Sequence, residues 1–153
     1  MRSLRWAVAL ATPIALVVAL AAAPPPASGV ASCTIVGSPR GEVLRGTPGD
    51  DVLCPGAGND TVYGGGGRDL VLSGDGADLV FGDAGDDDLR GGPGPDRMFG
   101  GDGADRMDGG DGADRLYGNA GPDAMLGGPG QDVCEGGPQV DTARSCESAP
   151  GVP

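Results

Sequence analysis

Histidine and lysine are both absent from the 153 residues, and aromatic residues make up only 3% of them. Without histidine the chain lacks the commonest general acid–base side chain, and without lysine it lacks the Schiff-base nucleophile. Serines are few beyond the N-terminal apolar stretch, and no two of the four cysteines have the CxxC spacing of a zinc ribbon. Basic side chains are outnumbered, ten arginines against 22 acidic residues, for a formal charge of −12. A phosphate backbone would be repelled by that surface, so no nucleic-acid partner is expected. No enzymatic activity is expected either.

What the chain has in abundance is glycine, with 32 residues, and aspartate on a fixed beat. Asp51, Asp60, Asp69, Asp78, Asp87, Asp96, Asp105, Asp114, Asp123, Asp132 and Asp141 follow one another every nine residues, without insertion or deletion. A glycine stands two residues before each aspartate, from Gly49 to Gly130, until Gln139 breaks the series. Two residues after each comes a mostly apolar residue: Leu53, Val62, Val71, Val80, Leu89, Met98, Met107, Leu116, Met125, Cys134 or Ala143. A fixed short period means that the chain stacks copies of one small unit.

The unit reads G-G-x-G-x-D-x-U-x, with U apolar; its cleanest copies are GGDGADRMD (Gly100 to Asp108) and GGDGADRLY (Gly109 to Tyr117). This pattern resembles the RTX, or haemolysin-type, calcium-binding nonapeptide repeat, over 99 of the 153 residues. The resemblance implies an all-β fold, a right-handed parallel β-roll (a β-solenoid) with two nonapeptides per coil and about five and a half coils. Each G-G-x-G-x-D would be a turn and each x-U-x a three-residue strand. It also implies Ca2+ as the ligand, held between successive turns on one side by the eleven aspartates and by turn carbonyls such as those of Gly101 and Gly103. With one ion between each unit and the unit two later, eleven units allow up to about nine ions.

Aromatic spacing supports an 18-residue coil independently. After Trp6 the chain has only Tyr63, Phe81, Phe99 and Tyr117, each the last residue of a unit and each 18 residues from the next. Such a coil would stack the four rings at about the interstrand spacing of 4.8 Å. The core would be thin, the glycine content makes ordering the chain costly, and stacked aspartates repel one another without metal. Calcium is therefore expected to drive folding of an otherwise disordered chain. Loss of Arg2 and Arg5 with a signal peptide would leave a charge of −14, which seven divalent ions would neutralise.

Residues 1–31 read as a secretory signal peptide: Arg2 and Arg5 precede an apolar stretch, and small residues near Ala31 suit cleavage. Residues 32–45 read as an N-terminal cap with a degenerate repeat bearing Glu42 at the aspartate position. Residues 46–144 form the eleven-repeat roll, and 145–153 a C-terminal cap and tail. Cys33, Cys54, Cys134 and Cys146 are an even set in an exported chain, for which disulfides are expected. Three pairings exist. Cys54 and Cys134 would lie about four and a half coils, roughly 20 Å, apart, which favours Cys33–Cys54 with Cys134–Cys146.

The expected protein is thus a monomeric, extracellular calcium-binding module of bacterial type, released or held at the cell surface. A second reading makes it an adhesive or structural piece that meets a cell-surface or glycan partner through the aromatic strip. An ice-binding solenoid would need a regular file of threonines along the turns, and none exists. Position five, often Asn or Asp in the family, varies here (Arg68, Pro95, Ala104, Pro122, Val140), so those turns are expected to be less well preorganised. Gln139 and Ala143 mark the last unit as the weakest, and Asp141 as the least secure ligand.

Overall fold

The alternation within each x-U-x segment dictates which side chains enter the interior, because successive residues of a strand point to opposite faces. The computed structural model of the chain describes residues 32–147; the stretch 1–31 read as a signal peptide and the tail beyond residue 147 lie outside the described residues. Among the described residues every element is a β-strand. Seven strands, Ile35–Val36, Val52–Cys54, Leu70–Leu72, Asp88–Pro93, Arg106–Asp111, Ala124–Leu126 and Thr142–Arg144, stack as one parallel sheet. Six others, Val43–Arg45, Thr61–Gly66, Leu79–Ala84, Arg97–Asp102, Arg115–Ala120 and Val133–Glu135, form the facing sheet.

Every pairing is offset by 18 residues, as in Leu44 to Val62, Val80 to Met98 and Met107 to Met125. One coil is therefore two nonapeptides, and the fold is a parallel β-solenoid. The U residues from Leu53 to Cys134, preceded by Leu44 of the degenerate unit, form one continuous core, none more than 6% exposed. On the outer face of the second sheet Tyr63, Phe81, Phe99 and Tyr117 stack with centroids 4.8–5.0 Å apart and planes within 10° of parallel.

Several strands are longer than the three residues that the repeat suggests. Those beginning at Thr61, Leu79, Asp88, Arg97, Arg106 and Arg115 each run six residues, into the first three positions of the next unit. The pairing between coils runs on through position two, as in Gly101 with Asp83 and Asp102 with Ala84, although the chain turns there and at position four, where most of the glycines adopt positive φ, as Gly103 does at 141°. At position two the glycine is replaced three times, by Thr47, Asp83 and Asn119, of which Asp83 and Asn119 sit at φ 72°, the residue types that best tolerate that conformation. Where position one is Pro55, which has no N–H, the ladder breaks and a separate short pair, Gly56–Ala57 with Gly74–Asp75, forms beyond it.

Position five proves less uniform than a missing Asx implies. Asp50, Asn59 and Asp86 each accept, on Oδ1, the backbone N–H one coil later, from Arg68, Ala77 and Ala104, at 2.8–3.0 Å. Pro95 stands one coil after Ala77 and Pro122 one coil after Ala104, so two turns whose predecessor offers no acceptor also present no N–H to satisfy. Disulfides Cys33–Cys54 and Cys134–Cys146 close the two ends, with Cα separations of 5.9 and 5.8 Å. At the C-terminal end the N–H of Glu147 bonds the Asp132 carbonyl (2.8 Å).

Met98 is fully buried at mid-stack, and a chain with so narrow a core has little means of closing over a cavity. Met98→Ala is expected to destabilise the folded protein by about 2–5 kcal/mol, read from urea melts at a fixed calcium concentration. Exposed Val140→Ala should leave the midpoint within error.

Candidate metal centre

The repeat aspartate is the last residue of each turn, and the coil register sets each one above its counterpart. Asp51, Asp69, Asp87, Asp105, Asp123 and Asp141 form one column, and Asp60, Asp78, Asp96, Asp114 and Asp132 the other, on the opposite side. All eleven are buried, none more than 8% exposed. In both columns the backbone N–H of one aspartate donates to Oδ1 of the aspartate 18 residues later: Asp51 to Asp69 (2.8 Å), Asp78 to Asp96 (2.8 Å), and so on to Asp123 to Asp141 (2.9 Å). Glu42 joins the second column in the same way, donating to Asp60 Oδ1 at 2.8 Å. The carboxylate thus replaces the backbone carbonyl that a regular strand pair would supply.

This bond uses one oxygen of each carboxylate from Asp60 to Asp141. The other, Oδ2, is buried without a hydrogen-bond partner in ten of the eleven, from Asp60 to Asp141. It occupies the space left by the glycine at position one of its own unit. A methyl added at Gly64 would lie 2.6 Å from Asp69 Oδ2 and 2.6 Å from the Gly82 carbonyl of the next coil. Carbonyls at positions two and four point the other way, into the next coil: that of Gly74 faces Gly92, and that of Gly103 faces Gly121. Each gap between coils is therefore lined by oxygens from both sides, two carboxylates and several carbonyls. Among the described residues no three acidic or cysteine side chains converge on one point, so any ion held in a gap takes much of its shell from the backbone. That donor set suits a hard cation needing six to eight oxygens, and it suits neither zinc nor copper.

Asp51 is the exception. Its Oδ2 accepts both the N–H (2.7 Å) and the hydroxyl (2.8 Å) of Thr47, so its charge is met by protein alone. Glu42 is likewise bonded to the Ser38 N–H. The two carboxylates at the N-terminal end are self-capped, whereas Asp141, in the degenerate last unit, is buried, bonded through Oδ1 and unpartnered at Oδ2 like the central members. The signal for this was present in the sequence: threonine stands at position two, four residues before Asp51, where other units have glycine, aspartate or asparagine.

Burial, the leading cause, raises the carboxyls of Asp87 and Asp96 to about 7 and that of Asp123 to about 6; Asp69, Asp78, Asp105 and Asp114 are raised as well. The N–H bond from the preceding coil pulls each down, and charge on neighbouring carboxylates pushes it back up. Stacked like charges in a dry column favour the neutral form unless a cation is near.

The family model described as RTX calcium-binding nonapeptide repeat (4 copies) matches residues 56–80, 81–116 and 108–143. No curated protein and no solved structure matches the chain.

Because these carboxyls titrate higher folded than unfolded, where 3.8 is the ordinary value, the metal-free coil is favoured by protonation. That contribution is complete below the unfolded value and is lost as pH rises through about 7. In chelator, circular dichroism should therefore show β-structure growing as pH falls from 8 towards 5; a flat response would contradict the buried-column geometry. Gly100→Ala sets a methyl against Asp105 Oδ2 and the Gly118 carbonyl. It should cost more thermal stability, by several degrees, than alanine at Gly49, where an added methyl meets only the Thr47 hydroxyl at 3.9 Å.

Proposed function

The chain belongs to the RTX calcium-binding nonapeptide repeat family, and from that premise we propose that it is a secreted calcium-binding β-roll whose two aspartate columns are the ion sites and whose folding depends on filling them. The observation that carries this reading is the run of ten buried carboxylate oxygens without a partner. Leaving so many charged acceptors unmet would cost several kcal/mol in a fold with a single-file core. Bound calcium supplies the positive charge and the coordination that these oxygens lack. The chain contributes preorganisation. Position-one glycines clear the space, each N–H ladder bond fixes one carboxylate oxygen, and the remaining oxygen is left facing the gap.

On this reading the ligands are the carboxylates of Asp60, Asp69, Asp78, Asp87, Asp96, Asp105, Asp114, Asp123, Asp132 and Asp141, with Asp51 a weaker contributor because Thr47 already satisfies it. Nine aspartate-to-aspartate gaps set the ceiling on the number of ions. Two disulfides suit an oxidising compartment, and together with the signal-like residues 1–31 they support export to surroundings where calcium is plentiful. The boundaries read from the sequence, a cap over 32–45, the roll over 46–144 and a C-terminal cap and tail over 145–153, are kept as part of this proposal.

The adhesive reading draws less support. A sugar or aromatic ligand would need a free ring face, yet the four rings are stacked face to face, and Arg45 covers the outer face of Tyr63 at 4.2 Å. The surface pocket beside Phe81 and Phe99 is otherwise lined by turn residues such as Asp83, Gly101, Asp102 and Asn119. The ladder is better understood as stabilising the stack, by about 0.5–1.5 kcal/mol per ring pair.

Circular dichroism of the mature, disulfide-bonded chain should change from coil in EDTA to β in millimolar calcium at neutral pH. Asp96→Ala and Asp105→Ala, at mid-stack, should raise the calcium midpoint several-fold more than Asp51→Ala; equal effects would contradict the assignment of the columns. Phe81→Ala and Phe99→Ala should lower the melting temperature of the calcium form without altering retention on cells or glycans. Loss of such retention in either variant would favour the adhesive reading.

A further inference from the structure

Position one of the repeat is glycine in every unit but two, where Pro55 and Ser73 stand instead. Ser73 is completely buried, and its Oγ has no hydrogen-bond partner. Its backbone keeps the register of the glycines it replaces: the Ser73 N–H donates to the Arg90 carbonyl (2.9 Å), as the Gly46 N–H does to that of Tyr63 (2.8 Å). At the equivalent Gly64 a Cβ would stand between the aspartate Oδ2 of its own unit and the position-one carbonyl of the next coil, 2.6 Å from each. The same register directs the Ser73 side chain between Asp78 and Gly91.

Two unpartnered buried oxygens, Ser73 Oγ and Asp78 Oδ2, therefore share one turn. If the serine were there to neutralise the aspartate, its hydroxyl would donate to it, and no such bond is made. Glycine at this position would avoid burying an unsatisfied hydroxyl, which costs about 1–3 kcal/mol. What the two oxygens have in common is lone-pair capacity, which a hard cation between them would use, and calcium accepts a seventh or eighth oxygen readily.

We propose that Ser73 Oγ is a calcium ligand in the gap between the Asp78 and Asp96 turns, so that this site has one protein oxygen more than its counterparts and is the first to fill. The inference rests on the calcium reading above. It makes one turn in the second column the tightest site, a property that the uniform nonapeptide pattern does not predict.

The test uses the full mature, disulfide-bonded protein with two replacements, Ser73→Ala and Ser73→Gly, the second restoring the glycine found at this position elsewhere. Calcium calorimetry should show the tightest class of sites weakened roughly tenfold in both variants, the scale of one oxygen contact to a charged group, with the number of bound ions unchanged. Europium(III) added at one equivalent should report, from its luminescence decay in H2O and D2O, one more inner-sphere water in each variant than in the parent. If Ser73→Ala does not fold, Ser73→Gly alone decides. Parent-like affinity and hydration in the variants would overturn the proposal, as would an extra ion bound by Ser73→Gly, which would mean that the serine blocks its site. Failure of the parent itself to bind calcium or europium is a different outcome, and would refute the calcium reading beneath it.

Discussion

The structure depends on one hydrogen bond, repeated along both sides of the solenoid, from the backbone N–H of each repeat aspartate to the carboxylate one coil later. It favours the 18-residue register, because a slip of one position would in most units replace the carboxylate at that N–H, as Arg68 or Leu70 would opposite Asp51, and would turn the buried U residues outwards. It also forces the carboxylates into the interior, one above another, where water cannot screen them. One oxygen of each carboxylate from Asp60 to Asp141 is used by this bond, and the other is left facing the gap between coils. The same contact that orders the backbone thus creates the electrostatic problem that a cation relieves.

The glycines fall into distinct physical classes around that bond. Position one is vacant so that Oδ2 has somewhere to lie, and positions two and four allow the backbone angles that turn the coil. A uniform consensus hides this division, and the exceptions make it visible. Asp83 and Asn119 satisfy the angular requirement at position two, Pro55 interrupts the ladder at position one, and Ser73 brings an oxygen into the vacated space. The ends follow a different logic from the middle. Thr47 and Ser38 cap Asp51 and Glu42 from within the chain, and a disulfide closes each end.

Much of this was legible in the residues. The apolar residues two after the aspartates, from Leu53 to Cys134, are the buried core, the four aromatics 18 residues apart do stack, and the cysteine pairing follows from the coil height. These features are legible because each depends only on periodicity. What periodicity could not show depends on individual atoms. The six-residue strands arise because the pairing between coils continues past the turn at position two, and the aspartate N–H ladder because a side-chain oxygen takes over a backbone role. The alternation of Asp86 or Asn59 with alanine and proline at position five becomes meaningful only once residues 18 apart are seen as neighbours. Asp141, in a degenerate unit, accepts the same N–H bond on Oδ1 as the central members, whereas Asp51 differs because a single threonine bonds its Oδ2.

On the proposed function, the stacked carboxylates hold the coils apart until a divalent cation joins them. The most direct measurement is small-angle scattering on the mature, disulfide-intact protein at pH 8, in excess EDTA and then in millimolar calcium. An expanded chain that contracts to a short rod on addition of calcium is the expected result. A rod of unchanged dimensions in EDTA would contradict the claim.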